Sequence, residues 1–255
     1  MDNLILIPQN TLRNIHQSQL SVVNCRSFTN LTLIMLQEIK VLFQKELQME
    51  WRQKYAVHGL LLYLASTIFV CYLSFKAKQE SINPITWNVL FWIILLFIAI
   101  NAIGKSFTQE SSQRGLFYYT LVRPESVIYS KILYNSVLMI GISLVGIFMY
   151  SWVMGNPVGN MSLYVIALIL GSIGFASTLS MVGGIAAQAE NTSTLMAVLS
   201  FPIIIPLLLF LLKLSKSALD GISIAENWDE IAVLASLDVI VVVLSGILFP
   251  YIWRH

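Results

Sequence analysis

The chain has 255 residues, of which 57% are hydrophobic and only 11% charged, with a mean hydropathy of +0.76 and a net charge of +2. A soluble domain keeps its surface wet with roughly a quarter charged residues, so this composition excludes a soluble enzyme, a disordered chain and a disulfide scaffold. The small net charge offers no broad basic field for nucleic acid.

Residues 1–35 are rich in Asn, Gln and Ser and contain no apolar run long enough for a secretory signal. They are expected to be a disordered cytoplasmic tail, with Met35 standing as an alternative start of translation. From 36 the pattern changes and runs to 255 as one membrane domain. Leu36, Ile39, Phe43, Leu47 and Trp51 recur at steps of three and four, which draws an apolar stripe on one helical face. Segment 36–55 is therefore expected to be an amphipathic elbow helix lying in the membrane interface. It either anchors the chain or also receives a cytoplasmic partner.

Five stretches then run with almost no charge: 55–75, 81–104, 132–189, 191–212 and 231–253. A bilayer core needs about 20 apolar residues in a helix. The third stretch holds two such helices, divided by the turn-forming run Gly155-Asn156-Pro157-Val158-Gly159-Asn160. Six spans result, near 56–75, 87–104, 132–154, 161–186, 195–212 and 231–253, all helical because a lone strand in lipid leaves its backbone unpaired. An even number puts both termini on one side. With that side cytoplasmic, 11 Lys and Arg lie inside and four (Lys76, Lys78, Lys213, Lys216) outside, as the positive-inside rule requires.

The connection 105–131 is the longest between spans. Its polar first part ends near Gly115, a good helix stop. An apolar and aromatic run, 116–122, comes next, and Pro124 with Glu125 and Ser126 starts the next helix. It reads either as a re-entrant loop packed under the bundle or as a short coupling helix seated in another protein. Within it, Gly104-Lys105-Ser106 imitates the end of a phosphate-binding loop, but Ala99 occupies the place of the required first glycine. Nucleotide binding by this chain is therefore not expected; if ATP is used, a partner binds it.

The fourth span carries Ser172, Ala176, Ser180 and Gly184 at every fourth position. Small residues so spaced let helices approach closely, within one chain or between two copies. The fifth contains Pro202 and Pro206, which deprive the carbonyls of Val198 and Pro202 of their amide partners. A static kink or a hinge is expected there. Asp238 in the last span, placed by residue count in the outer half of the membrane, is a functional candidate by default, or else a neutral or hydrogen-bonded group of the bundle. His16, His58 and His255 are too scattered to ligate a metal together. Cys25 and Cys71 fall on opposite sides of the membrane, and no Ser/His/Asp set forms. The chain is expected to be non-catalytic.

Taken together, these segments resemble the permease subunits of ABC-2-type transporters, and among them the cytochrome c maturation protein B family. The resemblance is carried by Glu38-Ile39-Lys40 through Glu46-Leu47-Gln48-Met49-Glu50-Trp51-Arg52, by Glu110 to Gly115 with Leu121-Val122-Arg123-Pro124 and Lys131, and by the run from Leu199 through Pro202 and Pro206 to Leu209. Its most specific part is the proline pair. It spans about residues 36–253, although stretch 109–115 holds fewer acids than in that family's proteobacterial members.

The resemblance implies an all-α, six-helix permease of the type V exporter kind in the bacterial inner membrane. It implies an interface to an ATPase at Glu46, Glu110, Arg114, Gly115, Arg123 and Pro124. The partners implied are a CcmA-like ATPase, a second copy of the chain, CcmC-like and CcmD-like membrane subunits, a CcmE-like haem chaperone and the bilayer. Haem is implied as a substrate and ATP as the partner's fuel, with no cofactor bound directly. The chain would then either export haem or transmit the motion that frees a haem-loaded chaperone. The alternative is an ABC-2 permease for a lipid or a drug-like molecule, or, in another class, a membrane scaffold without transport.

Overall fold

A computed structural model of the chain describes residues 28–52, 55–76, 82–108, 123–187 and 192–253. Within them, seven α-helices succeed one another: α1 (Phe28–Arg52), α2 (Tyr55–Lys76), α3 (Pro84–Thr108), α4 (Pro124–Met154), α5 (Met161–Ala186), α6 (Thr192–Leu219) and α7 (Trp228–Trp253). A short 3-10 turn, Ile224–Asn227, leads into α7. No strand occurs among the described residues. Helices α2 to α7 supply six segments long and apolar enough to cross a membrane, so the all-α, six-span expectation holds. Residues 1–38 and 39–255 form separate units. The second unit holds α1 from Ile39 onward and all six spans.

The helices outrun the apolar stretches, each for a local reason. Helix α1 begins at Phe28 rather than 36. Leu31, Leu33 and Met35 are good helix formers, and extending a helix is far easier than starting one, so residues 28–35 are helical. Helix α4 begins at Pro124, as the run Pro124-Glu125-Ser126 predicts, and so extends eight residues ahead of its apolar stretch at 132: Arg123 is its extended N-cap, and proline fits the first turn because that amide has no intrahelical partner. Helix α6 continues past 212 to Leu219, carrying Lys213 and Lys216 inside it. Long lysine stems run along the helix while the ammonium reaches a polar partner; Lys213 Nζ lies 3.0 Å from Glu230. Finally, α3 runs on to Thr108, so the connection 105–131 shrinks to 109–123, and 109–122 lie outside the described residues.

Helix α5 is the axis of the bundle. Its most apolar stretch is 72% buried, against 11% for α2 at the rim. It packs on α3, α4, α6 and α7, and it can do so because its glycines let large side chains close on its backbone. A Cβ on Gly171 would stand 2.6 Å from the Trp92 ring, and one on Gly183 2.7 Å from Phe107. The lipid-facing remainder is apolar: Leu62, Phe69 and Val70 on α2, Phe148 and Trp152 on α4, Val198 and Leu209 on α6, and Val239 and Ile247 on α7 are exposed.

Two connections meet backbone to backbone at the end of the bundle away from the termini. Gly155 closes α4 with φ +84°, a region that side-chain-bearing residues avoid. Gly159 then touches the turn after α6. A Cβ there would lie 2.9 Å from both Gly221 Cα and Leu219 O. Asn160 locks the contact: its amide N donates to Ala218 O (2.8 Å) and its side chain to Ile222 O (2.9 Å). The side-chain oxygen of Asn160 also accepts from Leu163 N (3.2 Å), capping α5.

Candidate functional site

The far end is a polar and aromatic cluster in which the buried groups satisfy one another. Asn88 Nδ2 donates to Ser215 Oγ (2.8 Å), Trp92 Nε1 donates to the same oxygen (3.0 Å), and Ser215 donates to Leu211 O (2.6 Å). Tyr164 donates its hydroxyl proton to Asn88 Oδ1 (3.1 Å). Tyr150 donates to Trp87 O, and Trp87 Nε1 to Gly155 O, both at 3.1 Å. The rings of Trp87, Phe91, Trp92, Tyr150, Tyr164 and Phe175 contact each other in stacked, tilted and edge-on pairs. Helices α3, α4, α5 and α6 are cross-tied here. Buried polar groups so paired fix a unique arrangement rather than await a ligand. Reading the sequence misses this cluster; its one signal there is Asn88 between two tryptophans in an otherwise apolar run.

At the termini end the coupling residues divide. Glu46 on α1 and Lys131 on α4 stand 3.8 Å apart, with side chains 13% and 5% exposed, and Lys45 Nζ is 3.5 Å from the same carboxylate oxygen. The Lys131 ammonium also lies 4.8 Å over the Phe107 ring of α3, an attractive cation–π contact. Glu46 thus faces the bundle, not water. Leu42 is buried one turn earlier, whereas Leu36 and Leu47 of the expected stripe are exposed. The face that α1 turns inward from Ile39 onward is therefore set by Leu42 and Glu46, and Leu47 points away from it. Arg123 and Pro124 are half-buried at the start of α4. Glu110, Arg114 and Gly115 lie outside the described residues. Gly104, Lys105 and Ser106 belong to α3, so the imitation phosphate loop is helical.

The small-residue stripe of α5 is spent inside the chain. Ser172 donates to Ser143 Oγ (3.0 Å) and Ser180 accepts from Asn135 Nδ2 (2.8 Å), both across to α4. Ala176 is fully buried, and a Cβ on Gly184 would lie 2.8 Å from the Phe249 ring of α7. Helix α6 runs through Pro202 and Pro206 without a break. Both prolines sit on its outward, exposed face.

Asp238 lies where α5, α6 and α7 converge. A Cβ on Gly174 would be 2.7 Å from Asp238 Oδ1 and 2.8 Å from Leu207 Cδ1, so carboxylate and leucine meet above the bare glycine. Gly174 is halfway along α5, which puts Asp238 at mid-depth rather than in the outer half. The difference arises because α7 starts at Trp228, three residues before 231. Asp238 is 6% exposed and neither oxygen has a hydrogen-bond partner. His58 is exposed and Cys71 is a half-buried free thiol. Among the described residues, no three metal-ligating side chains gather.

No curated protein matches the chain in a direct comparison. The CcmB protein family model matches residues 37–254, which takes in α1 from its middle, all six spans, the Glu46–Lys131 pair, the proline-bearing α6 and Asp238. The chain therefore belongs to the CcmB family, and is a six-helix membrane protein of transport and cytochrome c biogenesis.

Proposed function

We propose that this chain is the permease through which a CcmA-like ATPase acts in cytochrome c maturation, and that it transmits ATP-driven motion to release a haem-loaded, CcmE-like chaperone. The Glu46–Lys131 pair carries this reading. A buried ion pair holds only while both partners stay in place, and losing one leaves an uncompensated charge. A push on α1 from the cytoplasm is thus delivered to α4, whose buried face is bonded to α5 through Ser143 and Asn135. In this reading both termini are cytoplasmic, and Arg123, Pro124, Glu110, Arg114 and Gly115 complete the ATPase-facing surface. The chain pairs with a second copy and sits beside CcmC-like and CcmD-like subunits in the inner membrane. Haem is handled by those partners, and ATP by the ATPase.

The test is the reconstituted complex with Glu46→Gln or Lys131→Met. ATP-driven release of the haem-loaded chaperone is expected to fall about tenfold, equivalent to about 1.4 kcal/mol of coupling, while the ATPase still copurifies. The exchanged pair Glu46→Lys with Lys131→Glu is expected to recover part of the loss. Full release by both single variants overturns the transmission role. A strain lacking the gene that still makes normal covalent haem on its c-type cytochromes points instead to a lipid or drug-like substrate.

A further inference from the structure

Asp238 plays no part in the transmission route, yet burying its carboxyl without a partner is costly. Both of its oxygens are sealed from solvent and neither accepts a hydrogen bond. A carboxylate in that state bears the full penalty of desolvation, and a group so placed neutralises instead. Nothing charged offsets it from the helices packed around it. Helix α5 has Tyr164 as its one ionisable side chain, about 15 Å along the axis from Gly174 at about 1.5 Å per residue, with its hydroxyl committed to Asn88. On α6, Lys213 is held by Glu230 and Lys216 lies beyond it. On α4 the ionisable residues are Glu125, Tyr129, Lys131, Tyr134 and Tyr150, and none falls in the stretch 135–149 that runs past mid-depth. On α7 itself, Asp229, Glu230 and Tyr251 are all two turns or more away, as is Glu226 in the preceding turn.

The wall in front of the carboxyl is interrupted by proline. Leu207 covers it, directly after Pro206. Two rungs of the α6 hydrogen-bond ladder, at Val198 and Pro202, are missing at that level, and α6 is bounded on its outer face by exposed side chains only. A small shift of this turn moves Leu207 off Gly174 and opens the carboxyl to water.

We propose that Asp238 is a proton-binding site of the bundle: it holds a proton in the packed state described here and exchanges it with water when the proline-interrupted turn of α6 moves. The step is a plain acid–base one. The carboxylate takes a proton from water on closing and returns it on opening, with no change of oxidation state. The site is independent of the ATPase reading, since it needs no partner chain.

Infrared spectroscopy of the full chain in lipid vesicles tests it. At neutral pH the wild type is expected to show the C=O stretch of a protonated, non-hydrogen-bonded carboxylic acid, which Asp238→Asn lacks and Asp238→Glu retains at a shifted position. A difference spectrum showing an ionised carboxylate at 238 overturns the proposal. Circular dichroism and gel filtration certify each variant as folded, and the Glu variant decides the matter if the Asn variant is not. In heavy water the band shifts as the proton is replaced. The double variant Pro202→Ala with Pro206→Ala, which restores the two amides, is expected to slow that replacement about tenfold, the factor that two added hydrogen bonds of modest strength supply together. An unchanged rate overturns the role of the α6 turn.

Discussion

Two buried polar regions of this bundle obey opposite rules. In the far-end cluster, Asn88, Trp92, Tyr164 and Ser215 form a closed set of bonds among three helices. Half a membrane away, Asp238 is equally buried and makes none. The first arrangement is what stability selects, since each donor meets an acceptor. The second lowers stability and persists only where it serves something else. The contrast separates framework from working part within a single apolar domain.

Substitutions test that division, and the largest effect is expected in the framework. Trp92→Ala removes a fully buried ring that closes on Gly171 and stacks edge-on against Phe91 and Phe175. It is expected to cost about 4 kcal/mol, seen as a lower midpoint of thermal unfolding in lipid nanodiscs. Asn160→Ala should rank next at about 2 kcal/mol, because it deletes both the cap on Leu163 and the bond to Ile222. Hydrogen exchange should then quicken in the first turn of α5 before any global unfolding. Asp238→Leu, close in volume and free of a polar group, is expected to change stability by less than about 1 kcal/mol while removing the exchangeable carboxyl proton. If that variant unfolds as readily as Trp92→Ala, both regions are framework and the contrast fails. If it is stable and the exchangeable carboxyl proton persists, that proton belongs to another group and Asp238 has no work to do.

The spans were legible because a helix in lipid must be long and apolar, and the runs from Tyr55 to Trp253 meet that demand one after another. The turn at Gly155–Asn160 was legible too, since no other residues punctuate so strongly. The features that escape the sequence involve partners far apart in the chain. Glu46 and Lys131 are separated by three helix ends, and nothing in either neighbourhood announces the other. Lys131 counts as a cation of the connection because charge marks span limits; the helix start at Pro124 was legible, but not that Lys131 turns into the bundle toward Glu46. The elbow stripe is a fair reading of periodicity, yet Leu42, off that stripe, is the residue that packs. A wheel shows which faces are apolar and not which one the bundle covers. Asp238 is visible as an oddity; its depth and its lack of partners need Gly174 and Leu207 beside it.

The meeting of Gly159 with Gly221 has a mechanical meaning. Trp87 of α3 and Tyr150 of α4 are fastened to this same corner, and Lys213 ties α6 to α7 next to it. Five of the six membrane helices are thus riveted together at one extremity. Tweezers joined at the heel respond to pressure only at their tips, with travel growing along the arms. A bulky side chain at position 159 would loosen the heel and let any applied force dissipate before it reached the opposite surface.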